Sequence, residues 1–293
     1  MLDESLPFEL ATGLYALGDY RFFSFLVTGA THALIEMGIS ATAPLVADQL
    51  KELGVDPGEV AYLVVLHAHF DHLGGLPYYR ALFPQAQIVC SSGARETMSN
   101  PRLMEHFFRE DAVTSARLAG EGNCGRTFSW LPGSILEADM VVGDGDSLVL
   151  GTNSTLQFIA APGHSPCSLA AYLPERKTML VSDSIGFFPE PGDNLPLFFY
   201  DYAAYLETIS RLQWFSPAIV AGAHKFIFRG NEAAGCFTVA EESARDFRWF
   251  VRTFQGEREE LVTAIFNRFY QGCLQVFTPQ NIRACAELLI RRA

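Results

Sequence analysis

The stretch His67-Ala68-His69-Phe70-Asp71-His72 decides how this sequence is interpreted. It directly follows the apolar run 61–66, which is typical of a strand covered on both faces. Imidazoles and a carboxylate crowded at a strand end are costly unless a ligand satisfies them. Because neutral imidazole and carboxylate are preferred ligands of divalent metals, the stretch predicts a metal site. The ligands are so close in sequence that they favour two ions over one strained tetrahedral site.

Three further candidate ligands each follow an apolar run that is typical of a strand: His164, Asp183 and His224. Each is expected at the same rim of a sheet sandwich as the first stretch. Five of the seven histidines thereby fall on strand-end loops. The other two, His32 and His106, match no ligand position, and structural roles are expected for both.

Length and composition restrict the class of protein. The chain has 293 residues, which allows one large domain or two modest ones. Apolar residues make up 49% and charged residues 18%, which excludes intrinsic disorder. The net charge of −12 argues against a nucleic-acid partner and against a surface that binds anionic membranes.

Localisation is predicted from what the sequence lacks. The N-terminal MLDESLPFEL has no basic region and no long apolar region, so no signal peptide is expected. No apolar run is long enough to predict a membrane span. The six cysteines form no CxxC pair and are interpreted as reduced thiols of a cytoplasmic protein.

Hydrophobic periodicity predicts a mixed α/β body. A short helix is predicted over 45–53, a longer helix opens at Pro101 after the cap Asn100, and 120–134 is a predicted loop. The turn Asp144-Gly145 predicts a hairpin within Val141–Leu150. The predicted strands are 15–17, 22–28, 33–37, 61–66, 87–90, 155–160, 169–173, 178–181 and 218–223.

The segment 186–200 is rich in aromatic residues, yet its prolines and glycines predict a loop. Aromatic side chains on a loop favour a substrate wall. They are equally consistent with a long loop that is fastened to the core. Both alternatives stay open at the sequence level.

The pattern becomes purely helical from about residue 231. Thr238 and Glu241 match a capping box, and Thr278-Pro279 is typical of another helix start. The predicted organisation is therefore an α/β domain over 1–230 and a C-terminal helical extension over 231–293 that caps the active site.

The ordered motifs HAHFDH (67–72) and GHSPCS (163–168), with Asp183 and His224, resemble the metallo-β-lactamase superfamily in its glyoxalase II-like dinuclear branch. The resemblance implies an αββα sandwich with the site at one edge between two sheets. It also implies two divalent metal ions, which can be zinc, iron or manganese.

The resemblance also implies a role for each ligand. Asp71 and Asp183 are implied to be catalytic as well as metal-binding, and Glu36 is implied to orient a ligand histidine from behind. A histidine at His69 disfavours the redox branch of the superfamily, which carries glutamate there. One metal is implied to be held by His67, His69 and His164, the other by Asp71, His72 and His224, with Asp183 between them.

A closer resemblance to 2-aminobenzoylacetyl-CoA thioesterase-like proteins is carried by 17–27, 34–40 and 205–213. It implies that a hydroxide between the two metals attacks an acyl thioester of CoA or a carrier protein. The implied substrate pocket consists of Phe187, Phe188, Phe198, Phe199, Tyr200 and Lys225.

Other functions fit the same residues. The centre could hydrolyse a lactone or a phosphodiester instead, since the metals alone do not fix the bond that is cleaved. A regulatory protein of this fold, with a helical tail that binds a partner, is the alternative from another class. The expected partners are a small-molecule substrate and a second copy of the chain, bound through the C-terminal helices.

Overall fold

The computed structural model describes residues 5–122 and 136–293, so most of the loop predicted over 120–134 lies outside the described residues. Within the described ranges the chain folds into two β-sheets with helices on their outer faces. This arrangement confirms the αββα class that the metal motifs predict.

The first sheet contains the N-terminal strands in sequential order. Its first four strands pair antiparallel, whereas β4 to β7 run parallel. The parallel strands matter for function because their carboxyl ends meet at one rim of the sheet. The strands are β1 (Phe8–Ala11), β2 (Leu14–Asp19), β3 (Phe22–Val27), β4 (His32–Ile35), β5 (Val60–Val64), β6 (Gln87–Cys90) and β7 (Met140–Val141).

The second sheet has the order β13-β12-β11-β10-β9-β8. Its strands β11 and β12 are parallel, and the other pairs are antiparallel. The strands are β8 (Ser147–Gly151), β9 (Ser154–Ala160), β10 (Leu169–Leu173), β11 (Thr178–Ser182), β12 (Ile219–Gly222) and β13 (Ile227–Arg229).

The helices divide between the two outer layers. Asn100 caps α4 by accepting hydrogen bonds from two backbone amides, as its sequence predicts. The helices are α1 (Ala43–Glu52), α2 (Leu76–Leu82), α3 (Ser92–Met98), α4 (Pro101–Gly120), α5 (Tyr202–Gln213), α6 (Asn231–Thr253), α7 (Arg258–Phe269) and α8 (Pro279–Arg292).

Three buried apolar clusters fill the spaces between the four layers. One lies between the sheets and includes Phe25 and Phe158. A second joins the first sheet to α1 and α2, and a third joins the second sheet to α5 and the C-terminal helices. Burial of this apolar surface is the main force that fixes the sheets against each other and thereby aligns their rims.

The hairpin predicted within Val141–Leu150 is wrong. Strand β7 pairs with β6 in the first sheet, whereas β8 pairs with β9 in the second sheet. The turn at Asp144-Gly145 therefore carries the chain from one sheet to the other. Local turn chemistry favours a reversal, but tertiary packing decides which strands pair.

The predicted helix start at Thr238 is also wrong. Helix α6 begins seven residues earlier, at Asn231, directly after Gly230 at a φ of 55°. Apolar residues of its first turns, such as Ala233 and Phe237, are buried against the second sheet, and this packing outweighs the internal capping motif. The domain boundary at 230/231 stays a prediction. Among the described residues, none of the helices is long and apolar enough to cross a bilayer.

Candidate metal centre

The candidate ligands lie at neighbouring strand ends of the two sheets. The His67–His72 stretch follows β5 and includes a 3-10 turn at Phe70–His72. Asp183 directly follows β11, and His224 follows β12 two residues later. His164 lies in the loop between β9 and β10. The sandwich thus gathers side chains that are up to 157 positions apart in sequence, from His67 to His224.

Three imidazoles form the first ligand group. The Nδ1 atom of His69 lies 3.2 Å from Nε2 of His67 and 3.0 Å from Nε2 of His164. Two ligands at about 2.0 Å from one tetrahedral ion are separated by about 3.3 Å. The three nitrogens are therefore spaced as the ligands of one cation.

The second group contains Asp71, His72 and His224. The Asp71 Oδ2 atom lies 3.7 Å from His72 Nε2 and 3.5 Å from His224 Nε2. These imidazole nitrogens and the carboxylate oxygen face a common point. This grouping is the one that the sequence motifs imply for a second ion.

Asp183 lies between the two groups. Its Oδ2 atom is 3.9 Å from His67 Nε2 and 3.5 Å from His164 Nε2. On the other side, Oδ2 is 3.4 Å from His72 Nε2, and Oδ1 is 3.4 Å from His224 Nε2. A single carboxylate therefore reaches ligands of both groups, which is the position of a bridging ligand.

Hydrogen bonds to the outer ring nitrogens orient four of the imidazoles. His67 Nδ1 lies 3.0 Å from Ser182 Oγ, and His72 Nδ1 lies 2.6 Å from Glu36 Oε2. His164 Nδ1 donates to the Leu197 carbonyl at 2.9 Å, and His224 Nδ1 donates to the Arg21 carbonyl at 2.5 Å. Such partners fix the tautomer and leave Nε2 free to bind a cation.

Burial keeps the first histidine group neutral. Burial and the neighbouring His72 imidazole lower the pKa of His67 well below its ordinary value. Burial also lowers the pKa of His69, and it lowers the pKa of His164 to about 3. Neutral rings keep the lone pair that a metal requires.

At His72 and Asp183, neighbouring charges shift the pKa in the direction opposite to burial. Burial alone lowers the pKa of His72, but Glu36 and the neighbouring aspartates raise it well above the ordinary value. Burial raises the pKa of Asp183, but His224 and His72 outweigh it and hold that pKa well below the usual range. The Asp183 carboxylate is thus ionised, which suits a ligand that lies between two cation sites.

One buried atom supports the fit to metal ions directly. Nε2 of His72 is inaccessible to solvent and has no hydrogen-bond partner among the described residues. Unpaired buried polar atoms are rare because each costs about 1–3 kcal/mol. The atom faces Asp71 and Asp183 at contact distances, where a shared cation satisfies it. The residues present therefore fit two divalent ions.

The metal centre opens into a cavity of about 280 Å³. One wall consists of α4 side chains, and another comes from the C-terminal segment that includes α8. Phe277 lies edge-on to the His224 ring at 6.4 Å and also contacts Phe22 and Phe70. The cavity is therefore a mostly apolar pocket with the ligand cluster at one end.

The aromatic loop serves both of the roles that the sequence left open. Phe187 and Phe199 line the cavity, and Phe199 lies 5.2 Å from the His164 ring. Phe188 instead packs on the aromatic rings of β13 and its preceding turn, and Phe198 packs against Tyr205 in the core.

Two more predicted pocket residues also lie elsewhere. Tyr200 is 43% exposed and is not part of the cavity wall. The Lys225 ammonium points away and donates to the Pro189 carbonyl and to Glu190. The cavity wall therefore does not include four of the predicted pocket residues: Phe188, Phe198, Tyr200 and Lys225. The physical reason is that Phe188 and Phe198 turn into the core and Tyr200 turns towards solvent, whereas Lys225 finds local oxygen partners.

Several cavity residues were missed by the sequence analysis. His106, interpreted there as structural, lines the cavity with Glu110 from the same face of α4. From the C-terminal segment come Asn281 and Cys285, one turn apart on α8. Burial and the nearby carboxylates raise the pKa of the Cys285 thiol to about 12, so this thiol is no nucleophile at neutral pH. Helical spacing predicts which residues share a face, but not that α4 and α8 meet at this cavity.

Comparison with known proteins identifies the family. The Metallo-beta-lactamase superfamily profile matches residues 19–224, which include every ligand of both groups. The chain therefore belongs to the metallo-β-lactamase superfamily. This membership agrees with the fold and with the ligand geometry.

Three relatives are similar over part of the chain. "Putative transcription factor avaE" of Aspergillus versicolor is 31% identical over 59% of this chain and 46% of its own length. The nitric oxide reductase of Moorella thermoacetica is 26% identical over 62% of this chain and 42% of its own length. The N-acyl homoserine lactonase AttM of Rhizobium radiobacter is 31% identical over 46% and 44%. The chain thus matches less than half the length of each relative.

Solved structures support the fold alone. A metallo-β-lactamase from Cronobacter sakazakii superposes with a TM-score of 0.60 at 21% identity, covering 86% of this chain and 100% of that one. Rubredoxin oxygen:oxidoreductase from Desulfovibrio gigas gives 0.58 at 18% identity, covering 82% and 61%. Hydrolases and oxidoreductases therefore share this architecture, and only the site can distinguish them.

Proposed function

We propose that this protein is a dinuclear metal-dependent hydrolase that cleaves acyl thioesters. The observation that carries the proposal is the apolar cavity that opens directly onto the seven-ligand cluster. Such a wall suits an aliphatic or aromatic acyl group, whose carbonyl then lies at the metal end. The thiol half of the substrate extends outside the cavity.

The His67 group, the Asp71 group and Asp183 would hold two divalent ions, which would supply a Lewis acid and a bound water with a pKa of about 7. The protein's own residues orient the ligand histidines and shape the space around the substrate carbonyl. The hydrogen bonds that His72 donates to Glu36 and that His164 donates to the Leu197 carbonyl keep the two rings oriented. Phe187, Phe199 and Phe277 exclude water from the carbonyl and position it, which strengthens the local electrostatics. A thiolate leaves readily because the parent thiol has a pKa of about 8.5.

The cavity walls disfavour a phosphodiester. Among the described residues that line the cavity there is no lysine or arginine to share the charge of an anionic substrate. A lactone is a stronger second candidate, since it is neutral and since AttM, a relative at 31% identity, is named as a lactonase. An oxidoreductase function is disfavoured because His69 occupies the position where redox relatives carry glutamate.

A substrate panel tests the proposal. The protein is loaded in turn with zinc, iron or manganese, and is assayed with hexanoyl-CoA, N-hexanoyl homoserine lactone and bis(p-nitrophenyl) phosphate. We expect the thioester to give the highest kcat/KM. A higher kcat/KM for the lactone, or no thioester hydrolysis at full metal occupancy, would overturn the assignment.

A pair of matched variants, Asp183→Asn and Asp193→Asn, tests whether the Asp183 carboxylate is needed for hydrolysis. Asp183→Asn keeps the shape of the bridging side chain but removes its charge, so we expect at least about a 100-fold fall in kcat/KM and less bound metal. Asp193→Asn, which changes an exposed carboxylate of the 186–200 loop, is the control and should retain both. Equal activity of the two variants would contradict a catalytic centre at Asp183.

The homodimer predicted through the C-terminal helices remains a proposal, as does a regulatory role for those helices. Trp249 on α6 is 69% exposed, which leaves a large apolar side chain on the outer surface. Light scattering of the purified protein and of Trp249→Glu distinguishes the cases. A monomer in both samples would remove the homodimer from consideration.

A further inference from the structure

The cavity contains one carboxylate that the metal centre does not use. Glu110 projects from the middle of α4 and lines the cavity, and none of the ligand groups includes it. Asp71 and Asp183 line the same cavity, but their carboxylates face the ligand histidine His72. Glu110 is therefore a negative charge placed on an otherwise largely apolar wall.

The position of this carboxylate is fixed by α8. The Asn281 side-chain amide donates from Nδ2 to Glu110 Oε2 at 3.3 Å. The Asn281 Oδ1 atom faces the Cys285 thiol at 3.9 Å, so both ends of the amide have a partner. The backbone amide of Asn281 donates to the cap residue Thr278 at 3.1 Å. The carboxylate is thus held in place before any ligand arrives.

The carboxylate keeps unused hydrogen-bonding capacity. An ionised carboxylate has about four acceptor sites, and the hydrogen bond from Asn281 uses one of them. Lysine and arginine are missing from the cavity lining throughout the described ranges, so no fixed cation neutralises Glu110 there. His106, one helical turn earlier, is the remaining polar side chain of this wall. A ligand that carries a hydrogen-bond donor satisfies the carboxylate, whereas a purely hydrocarbon ligand removes water from it at a cost.

We propose that Glu110 is a specificity-determining residue that selects acyl groups bearing a hydroxyl or amino donor, with Asn281 as its positioning residue. This inference rests on the proposed function, because the acyl group is assigned to the cavity. It adds the chemical class of that group: an apolar body with a hydrogen-bond donor remote from the scissile carbonyl. Charged hydrogen bonds discriminate more strongly than apolar contacts, so a donor-free acyl group is rejected.

A matched pair of substrates tests the selection. The N-acetylcysteamine thioesters of 4-hydroxyphenylacetate and 4-methylphenylacetate differ by a hydroxyl in place of a methyl of similar size. We expect the wild-type protein to favour the hydroxyl compound by about 10-fold in kcat/KM. In Glu110→Gln, which keeps an acceptor for Asn281 but loses the charge, the ratio should fall to about 2-fold or less. An equal ratio in wild type and variant would overturn the proposal.

Two control variants distinguish a role of Glu110 in substrate selectivity from a purely structural role as the partner of Asn281. Glu105→Gln makes the same chemical change on α4, at a side chain that is 73% exposed and pairs with Arg109, and it should keep the wild-type ratio. Asn281→Ala removes the tether but leaves the charge. If the tether is the whole role of Glu110, both Glu110→Gln and Asn281→Ala leave the substrate ratio unchanged while they alter stability, and the proposal fails.

A binding measurement distinguishes failure of this inference from failure of the proposed function. The probes are p-cresol and p-xylene, which have no scissile bond, and their binding is followed by ligand-observed NMR with metal-loaded and with chelated protein. We expect p-cresol to bind at least about 5-fold more tightly, with the preference lost in Glu110→Gln. If no thioester is hydrolysed but this preference holds, the thioester assignment fails and the donor selection stands. If thioesters are hydrolysed and neither measurement shows a preference, the donor selection alone fails.

Discussion

Glu36 shows how one residue can serve the metal centre without binding a metal. It directly follows β4 and has a φ of 64°, a backbone region that residues other than glycine rarely adopt. This conformation directs a 1% exposed carboxylate to His72 Nδ1 at 2.6 Å. Backbone strain of this kind persists where the surroundings enforce it, and here it places an acceptor behind a ligand.

We expect Glu36→Gln to weaken metal binding about 10-fold to 100-fold, the usual effect of losing a charged partner of a ligand histidine. The amide keeps the size of the side chain but is a weaker acceptor for the His72 Nδ1–H, so the ring is held less firmly and is a poorer ligand. Competition with a chromogenic chelator measures the affinity. Glu52→Gln, at an exposed position at the end of α1, is the control. Unchanged affinity in Glu36→Gln would show that His72 needs no such partner.

Asp111 is a buried carboxyl group on α4. Its Oδ1 accepts a hydrogen bond from the Ser40 backbone amide at 2.8 Å, whereas its buried Oδ2 has no partner among the described residues. Burial raises its pKa to about 6 from an ordinary value of 3.8. Because the folded pKa lies above the unfolded value, the group's contribution to stability is complete below pH 3.8 and is lost as the pH rises through 6.

The pH profile of Asp111→Asn tests this assignment. Between pH 4 and pH 7 the free energy of unfolding should shift by about 2 kcal/mol in favour of the variant relative to wild type. Urea denaturation at a series of pH values measures the free energy of unfolding of both proteins. In the difference between them, the contributions of the titrating groups that they share cancel. Asp48→Asn, which removes an exposed carboxylate from α1, should show no such trend. A constant difference across the range would refute the raised pKa.

At the scale of elements, the ligand loops depend on close contacts between segments. Gly163 has a φ of 126°, and a Cβ atom there would lie 2.3 Å from the Tyr205 Cα atom of α5. The Gly163 carbonyl also accepts hydrogen bonds from the amides of Tyr200 and Asp201 at 3.0 and 3.1 Å. The loop that carries His164 is therefore packed tightly against the start of α5.

We expect Gly163→Ala to destabilise the protein by about 2–4 kcal/mol and to displace His164, because neither the conformation nor the space admits a methyl group. Thermal unfolding and metal content measure the two effects. Gly120→Ala is the matched control, since a Cβ at this last residue of α4 meets nothing within 4 Å. It should leave metal content unchanged. A stable Gly163→Ala with full metal content would contradict the packing argument.

The elements also show what the sequence can and cannot predict. The buried strand 61–66 and the histidines after it predict the α/β class and the ligand positions, because strand-end chemistry is local. The pairing of β7 and β8 with different sheets is not local, and neither is the register that brings Glu110 to Asn281. The aromatic loop is intermediate, since its composition indicates a wall but not which rings face the cavity. The sequence therefore predicts which candidate ligands gather at the rim of the sheets, but it does not predict which side chains line the cavity.

At the scale of the whole molecule, stability and metal binding are one equilibrium. The centre draws its ligands from the ends of β5, β11 and β12 and from the loop after β9, so it exists only when both sheets are packed. A ligand that binds only the folded state stabilises it by about 4 kcal/mol when its concentration is 1,000 times its Kd. An ion bound at these ligands would therefore link the two sheets and stabilise their packing.

We expect removal of the ions by a chelator to lower the thermal midpoint by about 10 °C, since 1 kcal/mol corresponds to about 2–4 °C in domains of somewhat smaller size. Readdition of metal should restore the midpoint, with a dependence on metal concentration that gives the Kd. Asp183→Asn, which lacks the carboxylate between the two ligand groups, should respond to the chelator much less than wild type or Asp193→Asn. If elemental analysis shows complete removal and the wild-type midpoint does not move, the ligand cluster does not couple the two sheets through bound cations, and the proposed metal chemistry loses its physical basis.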